Sequence, residues 1–127
     1  MGPVRIGVLV SGGGSNLQAL LDAQEKGQLK SGRIMLVISD KPDAYALTRA
    51  REAGVNTLAL DKKALGQERL EAQIMAALET HEIELVVLAG FLSILSPAFV
   101  SAYATRIINV HPSLIPAFCG KGYYGLK

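Results

Sequence analysis

The stretch VRIGVLVSGGGSNLQALLDAQEKG, residues 4–27, decides how the rest of the chain is read. It opens with a short apolar, β-branched run and passes through Gly12, Gly13 and Gly14. Helical spacing follows, with Leu17, Leu20 and Leu21 on one stripe and Gly27 as a stop signal. Strand, glycine turn and helix in that order make the first unit of a parallel α/β sheet. Successive glycines can take positive φ and turn backbone N–H groups towards an anion. A helix beginning near Ser15 or Asn16 adds its unpaired amides and its dipole. A phosphate is the guest these features suit. A P-loop would need Gly-Lys-Ser/Thr, and no lysine is present. A dinucleotide fingerprint would need a third glycine where Leu17 stands. Asp40, ending the second strand run, resembles the acidic ribose ligand of dinucleotide folds and keeps that alternative open. So does a plainer one, a tight turn with Ser15 capping the helix.

Working outward, the same alternation recurs. Strands are expected at residues 5–10, 34–38, 57–60, 85–89 and 107–110. They read as continuous Val/Ile/Leu, the pattern of strands covered on both faces. Helices are expected at 16–26, 44–53, 67–81 and 97–103. Leu70, Ile74, Ala77 and Leu78 form the apolar stripe of the third, and Ser96 with Pro97 signals the start of the fourth. The fold class is therefore α/β, a mostly parallel, Rossmann-like sheet with helices on both faces. Ligands of such sheets sit outside the carboxyl ends of the strands, here residues 11–16, 39–43, 90–95 and Asn109 onward. Residues 1–127 read as one domain without repeat or linker. The loop-like ending AFCGKGYYGLK leads us to expect a domain incomplete at its C-terminus.

Composition narrows the function. The chain has 127 residues, 50% hydrophobic and 19% charged, with a net charge of +2, which suits one globular domain. It has neither a Lys/Arg cluster nor a series of stacking aromatics, so no nucleic-acid partner is expected. Its one cysteine, Cys119, rules out an internal disulfide and fits a reducing compartment. The longest apolar run, 85–92, is too short to span a bilayer, and no secretory signal opens the chain. A cytoplasmic protein is the expectation. No His, Cys or carboxylate cluster has metal-ligand spacing, so no metal is expected.

A second stretch, RIINVHPSLIP at 106–116, carries the chemistry. Asn109 interrupts an apolar strand and His111 follows two residues later, before a loop stiffened by Pro112 and Pro116. Side chains at i and i+2 of a strand share a side, so the two can converge. An asparagine amide can donate to a developing oxyanion, and an imidazole can move protons near neutrality. The pair suits attack on a carbonyl followed by collapse of a tetrahedral intermediate. Ser113 lies too close along the chain for a nucleophile's role. The alternative is a buried Asn109 anchor with His111 as a turn cap. His81, at the end of the third helix, reads as structural, and Cys119 as a bystander. Within LVVLAGFLSIL, residues 85–95, the segment Phe91 to Leu95 leaves a strand end where backbone groups and apolar side chains could hold a flat heterocycle, the alternative being a buried strand running into a turn.

Three segments together, VLVSGGGSNLQALLDA, VVLAGFLSILSPAFV and NVHPSLIP, resemble the phosphoribosylglycinamide formyltransferases in order and spacing. The resemblance runs from Val4 to about Pro116. It implies a formyltransferase fold and transfer of a formyl group from 10-formyltetrahydrofolate to glycinamide ribonucleotide in purine synthesis, by a monomer or homodimer. By motif match, Gly14, Ser15 and Asn16 would hold the substrate phosphate. Leu92, Ser93, Ile94 and Leu95, with Asn109, would hold the folate. Asn109 would stabilise the formyl oxyanion, and His111 would assist proton movement. The chain departs from the family pattern in three places. The family's Asp-Gly-Gly motif, whose aspartate supports the histidine, is absent, so the 127 residues alone are expected to be feebly active or inactive. The family's arginine near the start of the third helix falls on Gln67, with Arg69 nearby. After HPSLIP the usual Tyr-Pro-Gly-Leu reads AFCGKGYYG. That last turn is also similar to formyltetrahydrofolate deformylase, which usually has His-His where this chain has His111-Pro112.

Overall fold

Apolar runs with little helical period pair into one five-stranded parallel sheet, in the order β3-β2-β1-β4-β5. The computed structural model describes residues 3–29, 31–93 and 95–110. The strands are β1 (Val4–Val10), β2 (Gly32–Ser39), β3 (Asn56–Ala59), β4 (Leu85–Ala89) and β5 (Ile107–Val110). The helices α1 (Ser15–Glu25), α2 (Tyr45–Glu52), α3 (Lys62–Thr80) and α4 (Pro97–Ala102) alternate with them. Strand order runs outward from β1 through β2 to β3, then returns to the other side of β1 with β4. That reversal leaves a crevice between the carboxyl ends of β1 and β4, where open α/β sheets bind ligands.

Each face of the sheet has its own core. Val8, Val10, Val37 and Val87 pack against Leu17 and Leu21 of α1 and Ala46, Leu47 and Ala50 of α2. Leu9, Leu36, Ile38 and Val86 pack against Leu70, Ile74 and Leu78 of α3 and Phe99 of α4. Leu70, Ile74 and Leu78 are fully buried, and each contributes about 1.5–3 kcal/mol by leaving water. A register shift between Ile6 and Gly7 gives β2 one extra residue, and the space above Gly7 is taken by Leu78 and Ile83.

Three sequence expectations are corrected. Cover on both faces holds for β1 but not for the edge strands of the described sheet: β3 has only exposed and half-buried residues, and Ile108 and Asn109 of β5 are exposed. The physical reason is that an edge strand has one neighbour and the helices crowd the middle of the sheet. The third helix begins at Lys62, earlier than Gln67, because Asp61 caps a first turn through the amides of Lys63 and Ala64. Gly66 then breaks the helix at φ 80°, ψ 167° before it resumes. Ser15 is not a cap. α1 starts on Gly14 in the left-handed region, with no side-chain cap hydrogen bond.

Candidate functional site

The glycine loop is held against α2. Gly12 O accepts from Ala46 N at 3.1 Å, and Gly13 O accepts from Arg49 Nε at 2.7 Å. In planar trans peptides C=O and N–H point opposite ways, so the amides of Gly13 and Gly14 face away from α2. Gly14, at φ 86°, allows this approach, because a Cβ there would lie 2.7 Å from Ala46 Cβ. The Arg49 guanidinium also donates to Gln18 Oε1 and lies 5.0 Å from the Tyr45 ring centre, which fixes a cation beside the loop. Asp61 and Ser96 cap α3 and α4, whereas the first-turn amides of α1 have no side-chain acceptor. An uncapped helix start behind outward-facing glycine amides has free donors that would suit an anion.

Asn16 sits in the first turn of α1 and is buried. Its Nδ2 makes a long 3.4 Å bond to Val110 O, while Oδ1 is buried with no partner among the described residues. The side chain thus links the glycine loop to the end of β5. Ser15 beside it is exposed. Asn109 pairs with Leu88 of β4, one residue short of the strand end, and its side chain is exposed. By alternation it shares a face with Ile107, which packs on the α3–α4 side. His111 and Ile94 lie outside the described residues, as do Ser113 and Cys119.

The turn after β4 is tied to three other elements. Leu92 N donates to Ser11 Oγ at 2.8 Å, Ser93 Oγ donates to Asp40 Oδ2, and Ser96 N and Oγ donate to the two oxygens of Glu71 at 2.7 and 2.6 Å. Ser11, Asp40, Glu71 and Ser93 are all buried, whereas the Leu92 side chain is 74% exposed and Leu95 half-buried. Gln67 donates to Glu71 Oε2 at 2.7 Å. Burial alone would raise the Glu71 carboxyl. The bonds from the Ser96 hydroxyl, the Ser96 amide and Gln67 outweigh it and hold the group below its ordinary 4.5. A cavity of about 550 Å³ opens outside the ends of β2, β3 and β4, lined by Asp40, Lys41, Lys62, Lys63, Leu92 and Ser93 among others. The glycine loop and Asn109 do not line it.

Asp40 differs from a ribose ligand. Its Oδ2 is taken by Ser93 and its Oδ1 is buried, so no carboxylate edge is offered to a diol. Reading the sequence missed Ser11, Glu71 and Arg49, whose partners are distant in sequence, and the only local signal was that buried polar residues must find partners. Arg5 donates twice to His81 O, and His81 Nδ1 lies 3.0 Å from Ala77 O, which agrees with a structural role for His81. Among the described residues no group of three or more His, Cys, Asp or Glu side chains could hold a metal ion, and no helix is long and apolar enough to cross a membrane.

A parallel sheet with a glycine loop at its first strand–helix turn and polar groups at its switch point defines a Rossmann-like α/β protein. The chain belongs to the formyl transferase family, whose sequence profile matches residues 4–125. Phosphoribosylglycinamide formyltransferase of Escherichia coli (strain K12) is 46% identical over 118 residues, covering 92% of this chain and 55% of that protein. The chain therefore spans little more than half the length of that relative. Glycinamide ribonucleotide transformylase 1 from Symbiobacterium toebii matches with a TM-score of 0.80 at 44% identity, over 91% of this chain and 55% of that one. A formyltetrahydrofolate deformylase from Pseudomonas putida KT2440 matches at 28% identity with a TM-score of 0.76, over 86% of this chain and 38% of that one.

Proposed function

We propose that this chain forms the substrate-binding part of a cytoplasmic enzyme that transfers a formyl group from 10-formyltetrahydrofolate to the amine of glycinamide ribonucleotide, in purine synthesis. The observation that carries the reading is the uncapped start of α1 behind a glycine loop whose carbonyls are turned to α2. In this reading the phosphate lies on the backbone amides of Gly14, Ser15 and Asn16, where the helix dipole stabilises its charge. The folate lies along Leu92, Ser93, Ile94 and Leu95. Leu92 supports this, because an exposed apolar side chain beside a cavity is surface that a flat heterocycle would cover. Asn109 donates its side-chain amide to the formyl oxygen, where negative charge develops as the amine attacks. His111, two residues on, carries the proton released by the amine.

The complete protein should release tetrahydrofolate only when glycinamide ribonucleotide is added, followed by the absorbance of the folate product. Formate release without the ribonucleotide would establish the deformylase instead. Binding of a nicotinamide dinucleotide without any folate, measured by calorimetry, would point to a non-catalytic nucleotide module. The Asp40 carboxylate, already bonded to Ser93, argues against that last reading.

A further inference from the structure

We infer that Asp40 and Glu71 are positioning residues for the folate-binding turn after β4, acting through Ser93 and Ser96 rather than by touching a substrate. The inference rests on the proposal that Leu92 and Ser93 lie along the folate. An exposed turn cannot fix its own shape, because its backbone groups have water as an equally good partner. This turn is instead held from beneath. Ser11, Asp40 and Glu71 reach it across sequence separations of 81, 53 and 25 residues, from the end of β1, the end of β2 and the middle of α3. Both carboxylates are buried; Asp40 uses one oxygen, and Glu71 both, on serines of this one turn.

Stability alone does not account for Asp40. A buried carboxylate with Oδ1 unpartnered among the described residues carries a desolvation penalty that asparagine would largely avoid while still accepting the Ser93 hydroxyl. What the charge adds is a shorter, stronger and more directional bond to Ser93. Glu71 does the same at the other end. It takes both the amide and the hydroxyl of Ser96, whose hydroxyl also accepts from Phe99 N as the cap of α4. The cap of α4 is therefore joined to α3 by two bonds. The outcome is a fixed backbone beneath Leu92, ready for the ligand without an ordering cost on binding.

The test uses the complete protein with Ser93→Ala, Asp40→Asn, Glu71→Ala and Glu71→Gln, in steady-state kinetics and in hydrogen exchange without ligand. Ser93→Ala and Glu71→Ala should each raise KM for 10-formyltetrahydrofolate by about tenfold, the worth of one charge-assisted bond. KM for glycinamide ribonucleotide should stay within about twofold on the same scale. Glu71→Gln, which keeps one acceptor, should restore part of the Glu71→Ala loss. Asp40→Asn, which keeps the acceptor without the charge, should raise the folate KM by about threefold, less than Ser93→Ala does. Exchange at Leu92 and Ser93 should accelerate in the two alanine variants. An unchanged folate KM in folded variants, or an equal rise in both KM values, overturns the proposal. A wild-type protein with no folate-dependent activity would instead sink the transferase reading. In that case unaltered exchange in the alanine variants would still overturn the claim that these bonds hold the turn.

Discussion

Replacing Gly14 by alanine would put a Cβ 2.7 Å from Ala46 Cβ and 2.8 Å from its Cα, on a backbone already at φ 86°. Overpacking and left-handed strain add here, so denaturant unfolding should show a loss of about 2–4 kcal/mol. The proposed phosphate site should loosen with it, because the same contact sets which way the loop amides face. Asn109 calls for a different measurement. Its exposed side chain supports little of the fold, so Asn109→Ala should leave the melting temperature nearly unchanged. If it donates to the developing oxyanion, turnover should fall by about 10²–10³ with KM moved much less. An unchanged rate would remove it from the mechanism. Asn109 and the glycines stand out in the sequence because each breaks a local pattern. The roles of Ser11 and Arg49 were not, since nothing local distinguishes them from ordinary polar residues.

At the scale of elements, α3 shows how a helix can be read correctly and still be incomplete. The stripe of Leu70, Ile74 and Leu78 locates its body, but Gly66 looks like a boundary and conceals the turn capped by Asp61. A Cβ at Gly66 meets nothing within 4 Å. Gly66→Ala should therefore cost backbone strain alone, about 1–3 kcal/mol in denaturant unfolding. The tie between α3 and α4 should also be visible in acid. Glu71 is held below its ordinary 4.5 in the folded chain. Its contribution is thus complete above that value and is lost as pH falls through the lower folded one. Glu71→Gln should flatten the acid limb of a melting-temperature profile and leave its neutral region sloped as before. A parallel shift of the whole profile would mean that the carboxylate's ionisation is not what joins the two helices.

For the whole molecule, the strand order β3-β2-β1-β4-β5 predicts how protection is distributed. Hydrogen exchange should be slowest in β1, which lies mid-sheet with helices on both sides, and fastest in β3 and β5 at the edges. A β5 as protected as β1 would show that the complete protein covers that edge. Element types, their order and the parallel class follow from local spacing of apolar residues, because helix and strand periods are properties of neighbouring positions. The glycine loop, Asn109 and the family likeness were accessible for the same reason, being short runs of chain. Local spacing could not say which strands become edges, that Asp40 turns inward to Ser93, or that Glu71 grips Ser96. Those contacts join residues far apart in the chain, and only the packing of helices on both faces of the ordered sheet brings them within hydrogen-bond reach.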